Sequence, residues 1–251
     1  MEADHILRGI EARPERKTAL IVGILIITAT VAPLLSLVFY GPITDAPDDL
    51  ANVSANENQV KIVAVLQLIG AAAIIGIPIM MFPILKKHNE SLALGYVGAR
   101  IIEGFVFVVG VIGLLSLLTL SQEFVNAGAP DASHFQTLGV LLLAEINWGF
   151  AVPGTIAFSL GGLMFYYVLY QSKLVPRWIS VWGIIGAALI LAIPFLSSLF
   201  GLIPETFVEF LAPIGAVNET ENIFLAVWLI LKGFKSPAIA PESAEIATNK
   251  V

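Results

Sequence analysis

Six long apolar stretches dominate this chain and leave it few ways to fold. A helix needs about 20 apolar residues to cross about 30 Å of hydrocarbon. Thr18–Tyr40, Ile62–Leu85 and Trp178–Ile203 reach that length without a charge. Leu92–Leu120 contains Arg100 and Glu103, Val140–Tyr170 contains Glu145, and Phe207–Leu231 contains Glu209, Glu219 and Glu221. Composition agrees: 13% of residues are charged, against about 25% in a soluble domain. The mean hydropathy is +0.89. The expected fold is all-α, a polytopic membrane helix bundle with six transmembrane helices. A net charge of −6 and the lack of a basic stretch outside short loops exclude a nucleic-acid surface. The chain has no cysteine, which excludes disulfides, thiolate metal sites and thiol catalysis.

Orientation follows from the basic residues. Arg8, Arg13, Arg16 and Lys17 precede the first stretch, and Lys86 and Lys87 follow the second. Lys173 and Arg177 lie between the fourth and fifth, and Lys232, Lys235 and Lys250 follow the sixth. With six spans all of these share one side. Lys61 alone lies opposite, among Asp45, Asp48, Asp49, Glu57, Glu123 and Asp131. Both termini are therefore expected in the cytoplasm of a cell-membrane protein. Residues 1–17 read as a cytoplasmic segment, 18–235 as the transmembrane domain and 236–251 as a flexible cytoplasmic tail. The first stretch reads as a signal anchor, being too long for a cleaved signal and lacking a cleavage site. Gly41–Gln59 and Ser121–Phe135 read as loops too short to form a domain.

Small residues let helices approach closely in lipid. Gly95/Gly98, Gly110/Gly113, Gly161-Gly162, Gly183/Gly186 and Gly70-Ala-Ala-Ala73 read as helix contacts. Pro33, Pro78, Pro153 and Pro194 each free a carbonyl and kink a span. Tyr166, Tyr167, Tyr170 and Trp178 read as an interfacial aromatic belt.

Charges inside spans carry the functional signal, because each costs about 2.5–3.5 kcal/mol at the bilayer centre. At about 1.5 Å per residue, Arg100 lies about 12 Å and Glu103 about 16 Å from the cytoplasmic start of their span. Counted from Leu231, Glu221 lies at about 15 Å and Glu219 at about 18 Å. Arg100 and Glu103 are three apart and share a face. Asn218, Glu221 and Asn222 share another. The expected cluster is Arg100, Glu103, Asn218, Glu221 and Asn222, with Arg100 bridging two carboxylates. Gln67 is a packing hydrogen bond or a wall of the same site. Glu145 and Asn147 fall near the outer face, and Glu219 points away from Glu221.

No span holds a histidine: His5, His88 and His134 lie outside them. Bis-histidine haem, a zinc hydrolase and a Ser–His pair therefore have no place here. No metal or cofactor is expected, and an intramembrane enzyme lacks visible machinery. Two readings remain open. One is a small transporter-like or solute-binding protein, proton-linked through Glu103 and Glu221. The other is a scaffold or regulatory partner in which the cluster only fixes helix register. The bilayer is the expected partner, with a small solute or proton, and a homo-oligomer or partner membrane protein fits either reading.

Several segments in order carry a resemblance. They are Ser54–Asn58, Lys87–Glu103, Leu114–Glu123, Ala129–Ser133, Phe165–Tyr167, Leu174–Gly183 and Ala226–Phe234. Over about residues 15–235 the chain resembles the prokaryotic multi-pass membrane family catalogued as domain of unknown function 4386. The resemblance implies a six-span bacterial or archaeal membrane protein and no particular activity. Arg100, Glu103 and Glu221 fall within it, whereas Glu145–Pro153 matches it less well.

Overall fold

The computed structural model describes residues 2–44, 50–128, 132–194 and 220–235, with side chains for 15–43, 50–128, 133–192 and 220–235. All regular structure among these residues is helical. Helix α1 (Glu2–Ser36) ends in a 3-10 turn, Leu37–Phe39. Two short helices follow, α2 (Gly41–Thr44) and α3 (Leu50–Ala55), then α4 (Glu57–Leu85) and α5 (Glu90–Asn126). A π-helical turn, Phe150–Gly154, joins α6 (Ala132–Gly149) to α7 (Thr155–Ser172). Then come α8 (Arg177–Pro194) and α9 (Thr220–Leu231).

Four helices are long and apolar enough to cross a membrane: Glu15–Phe39, Glu57–Leu85, Glu90–Asn126 and Ser133–Ser172. Residues 195–203 of the expected fifth span and 207–219 of the expected sixth lie outside the described residues. Large apolar side chains face outward, with Val38 75% and Leu231 68% exposed. Such a surface suits lipid rather than water.

Local chemistry sets the boundaries. The Asn89 side chain caps α5 by accepting from the Leu92 amide at 3.0 Å, which meets one orphan donor of the helix start. Helix α7 ends at Lys173 in a left-handed conformation. The expected loop 41–59 is largely helical instead. Ile43, Leu50 and Val53 are buried, since Leu50 and Val53 are three apart and turn one apolar face inward. They join an outer core with Val60, Val63, Leu114 and Leu117.

Helix α4 packs between α1 and α5, α5 also meets α6 and α7, and α7 pairs with α8. Small residues make the approaches. A Cβ on Gly70 would stand 2.7 Å from Pro33 Cγ, so α1 seats directly on α4 at Pro33. Gly161 lies against Ala99, and Gly162 against Ala187.

One end of the bundle joins distant parts of the chain. Arg16 Nη1 and Nη2 donate to the carbonyls of Leu229 and Ile230 at 2.9 and 2.6 Å. Both carbonyls belong to the last turn of α9, and Leu229 O also accepts from the Gly233 amide at 3.1 Å. Gly233, at φ +72°, turns the chain beneath the guanidinium. Lys235 N donates to Leu174 O at 2.8 Å, and Lys87 pairs with Glu15 at 3.1 Å. The residues before span one, the α4–α5 turn, the α7–α8 turn and the residues after α9 therefore meet at one end.

Candidate functional site

The site begins on α5. Arg100 Nη1 donates to Glu103 Oε2 at 2.8 Å, as their three-residue spacing allows. Both are buried, Arg100 at 8% and Glu103 at 4% exposure. The guanidinium centre lies 5.7 Å from the Tyr96 ring and 5.0 Å from the Phe158 ring. These faces supply negative potential on the sides that Glu103 does not cover. Arg100 Nε finds no hydrogen-bond partner among the described residues.

Glu221 on α9 is fully buried. The Tyr166 hydroxyl donates to Glu221 Oε2 at 2.6 Å and stands 3.0 Å from Asn222 Oδ1. It has one proton for the two acceptors, and the shorter contact is the one to the carboxyl. Tyr96 stacks on Phe165 with centroids 4.7 Å apart, and Phe165 meets Tyr166 edge-on at 5.1 Å. An aromatic column thus links the Arg100 side of the site to the Glu221 side. Arg100 forms an ion pair with Glu103, and Glu221 accepts from Tyr166.

A cavity of about 600 Å³ lies among α1, α4, α5, α7, α8 and α9. That volume suits a small-molecule ligand. Thr30, Gln67, Arg100, Glu103, Thr155 and Asn222 are its polar wall, and Ile74, Ile77, Phe107, Phe158 and Leu225 belong to its apolar wall. Gln67 Nε2 donates to Ser36 Oγ at 2.9 Å, and Ser36 Oγ donates to Pro33 O at 2.6 Å. Gln67 Oε1 has no partner among the described residues. Gln67 is therefore both a packing bond and a cavity wall.

The π-helical turn also lines this cavity through Phe150, Gly154 and Thr155. Pro153 removes one amide from the helical ladder. Both the Thr155 amide and its hydroxyl turn to Phe150 O, the hydroxyl at 3.1 Å. These bonds serve the Phe150 carbonyl rather than the Gly149 carbonyl, whose i+4 amide Pro153 removes, and the irregular turn lines the cavity, a setting in which such backbone is tolerated at membrane depth.

The model of the family described as Domain of unknown function (DUF4386) matches residues 21–233. The chain belongs to this family. No curated protein and no solved structure matches it significantly.

The remaining candidates of this DUF4386 chain fall elsewhere. Glu145 and Asn147 are exposed on α6. Glu145 lines a separate cavity of about 400 Å³ with Ser116, Thr119 and Glu123. Asn218 and Glu219 lie outside the described residues. Among the described residues no group of His, Cys, Asp and Glu is arranged to hold a metal ion. Tyr96, Phe158 and Tyr166 escaped the reading of the sequence. Tyr166 is only 3% exposed, whereas Tyr167, Tyr170 and Trp178, which read as an aromatic belt with it, are exposed. The signal was the stripe Gly162, Tyr166 and Leu169, all buried at helical spacing.

Proposed function

We propose that this DUF4386 protein is a six-span cell-membrane protein that binds a small solute in the cavity beside Arg100. Residues 1–17 and 236–251 would be its cytoplasmic ends and 18–235 its membrane domain. The gathering of Arg16, Lys87, Lys173 and Lys235 near one end supports cytoplasmic termini, because basic residues favour that side.

The observation that carries the reading is a cavity of about 600 Å³ with a buried ion pair in its wall. A pair that only fixed helix register would be served by dry packing. Here the arginine lines open space, and its Nε, shielded from that space, has no partner among the described residues. In a proton-linked transport cycle, Glu103 and Glu221 would titrate with Arg100 as counter-charge. A flux assay on Glu103→Gln checks that step: unchanged proton dependence would exclude it.

Thermal unfolding of the purified protein in nanodiscs tests the binding reading. The panel holds ions, metabolites and lipid-soluble compounds, with wild type beside Ala29→Phe. Ala29 lines the cavity, so the larger side chain has space to enter. A compound that stabilises wild type and not the variant is expected. If no compound separates the two, the cavity is not a binding site. The scaffold reading then takes over. It draws on the buried Tyr166–Glu221 contact, which joins α7 to α9 whether or not a solute binds.

A further inference from the structure

The shape, polarity and exposure of the cavity say what kind of solute suits it. This step rests on the binding reading above. Its two poles lie far apart along the bundle axis. Gly104 packs against Ile75 and the Ala71 carbonyl, which sets α5 and α4 level there. The two helices run antiparallel through the short turn 86–89. Arg100 is one turn from that level toward the basic end, and Gln67 is more than one turn the other way. At about 1.5 Å per residue the poles are about 15 Å apart. Ile74, Ile77 and Phe107 line the cavity with them.

Each pole has one unused hydrogen-bonding atom. Arg100 Nε is a buried donor without a partner, and Gln67 Oε1 a buried acceptor without one. Both atoms are closed off from the cavity as the side chains stand, so a ligand that supplied an oxygen to the first and a hydroxyl to the second would satisfy both by turning the two side chains toward it. Its net charge is constrained too. Arg100 and Glu103 already neutralise each other at 2.8 Å. A carboxylate or phosphate added beside them would leave a net buried charge, which a low-dielectric setting disfavours strongly.

The wall points to a route. Leu34 and Leu37 line the cavity and are also 48% and 60% exposed. They lie on a helix long and apolar enough to span the membrane, Glu15–Phe39. There one layer of side chain divides the cavity from the surface that lipid would cover.

From these observations we infer that the cavity takes an uncharged, lipid-soluble molecule about 15 Å long, with a carbonyl at Arg100 and a hydroxyl at Gln67. It enters sideways from the bilayer past Leu34 and Leu37.

Photolabelling of the full chain in nanodiscs tests this. The probe is a linear ω-hydroxy methyl ketone of matching length that carries a diazirine. Labelling of α1, α4 and α5 is expected, displaced by the unlabelled ketone. The ω-hydroxy alkane of the same length, which lacks only the carbonyl, should compete about tenfold less well, the worth of one hydrogen bond. The ω-hydroxy carboxylate should also compete less well than the ketone. Gln67→Leu should weaken the hydroxy ketone and leave the plain methyl ketone unchanged. Leu34→Trp should slow labelling from the lipid phase. Equal competition by the ω-hydroxy alkane would remove Arg100 from the site, and stronger competition by the carboxylate would make it an anion site. Either result overturns the inference. If Ala29→Phe blocks a water-soluble compound but not the ketone, only the lipid-soluble class fails. If it blocks neither, the binding reading fails with it.

Discussion

Glu103 is the residue on which the buried arginine depends. Its removal would leave Arg100 as an unpaired, largely buried charge, and breaking a buried pair costs about 3–5 kcal/mol. Glu103→Gln is therefore expected to lower the unfolding midpoint in nanodiscs sharply. Arg100→Leu added to it should recover much of the loss, since it removes the uncompensated charge. If the two changes simply add, the pair is not an energetic unit. Tyr166→Phe should cost less, about 0.6–1.7 kcal/mol for a hydrogen bond between membrane helices, read from the same unfolding curves. The two carboxylates differed in how far the sequence revealed them. Arg100 and Glu103 stand three apart in an apolar run, so their contact is local and can be read from spacing. Tyr166 lies 55 positions from Glu221, and only the approach of α9 to α7 brings them together. Placed between Phe165 and Tyr167 near a basic turn, it had the pattern of an interfacial ring.

Helix contacts sort the glycines in a way that spacing cannot. A Cβ at Gly183 would fall 2.6 Å from the Tyr166 ring, whereas one at Gly98 meets nothing within 4 Å. Gly183→Ala is therefore expected to cost about 1–3 kcal/mol through overpacking. Gly98→Ala should be neutral or stabilise by up to about 1 kcal/mol through helix propensity. Unfolding midpoints of the two variants check the contrast, and equal effects would place the α7–α8 contact wrongly. The sequence presented both as members of glycine pairs. Which member faces a neighbour depends on the rotation of each helix, set by packing across the bundle. A break in the helical ladder at Pro153 was readable, because proline removes an amide wherever it stands. The two bonds from Thr155 to the Phe150 carbonyl were not, since they depend on the π-helical register of the turn. The short helices α2 and α3 were missed for a related reason. A run as short as Leu50–Ala55 holds too few turns for its apolar period to stand out from a loop.

At the scale of the molecule, long apolar runs announced the helices, and the proposed threading rests on charge asymmetry. Four runs form helices of spanning length. Reporter fusions after residue 235 and in the α4–α5 turn are expected to read cytoplasmic, and one near residue 45 to read external. An external reading after residue 235 would exclude an even number of crossings. The composition could not reveal the cavity. Its walls come from α1, α4, α5, α7, α8 and α9, with Pro33, seated on Gly70, and the π-helical turn among the groups that line it.

The clasp between Arg16 and the end of α9 bears on how the protein is made. Arg16 and Leu229 are separated by 213 positions. At about 5–20 residues per second of synthesis, Arg16 waits on the order of 10–40 s for its acceptors. Through that interval the first helix is threaded but its closing partner does not yet exist. The guanidinium stays hydrated at the membrane edge, where its charge still helps to hold the helix in its orientation. Completion of the last helix then turns a topological signal into a structural fastening, so that one side chain serves first the insertion of the chain and afterwards its closure.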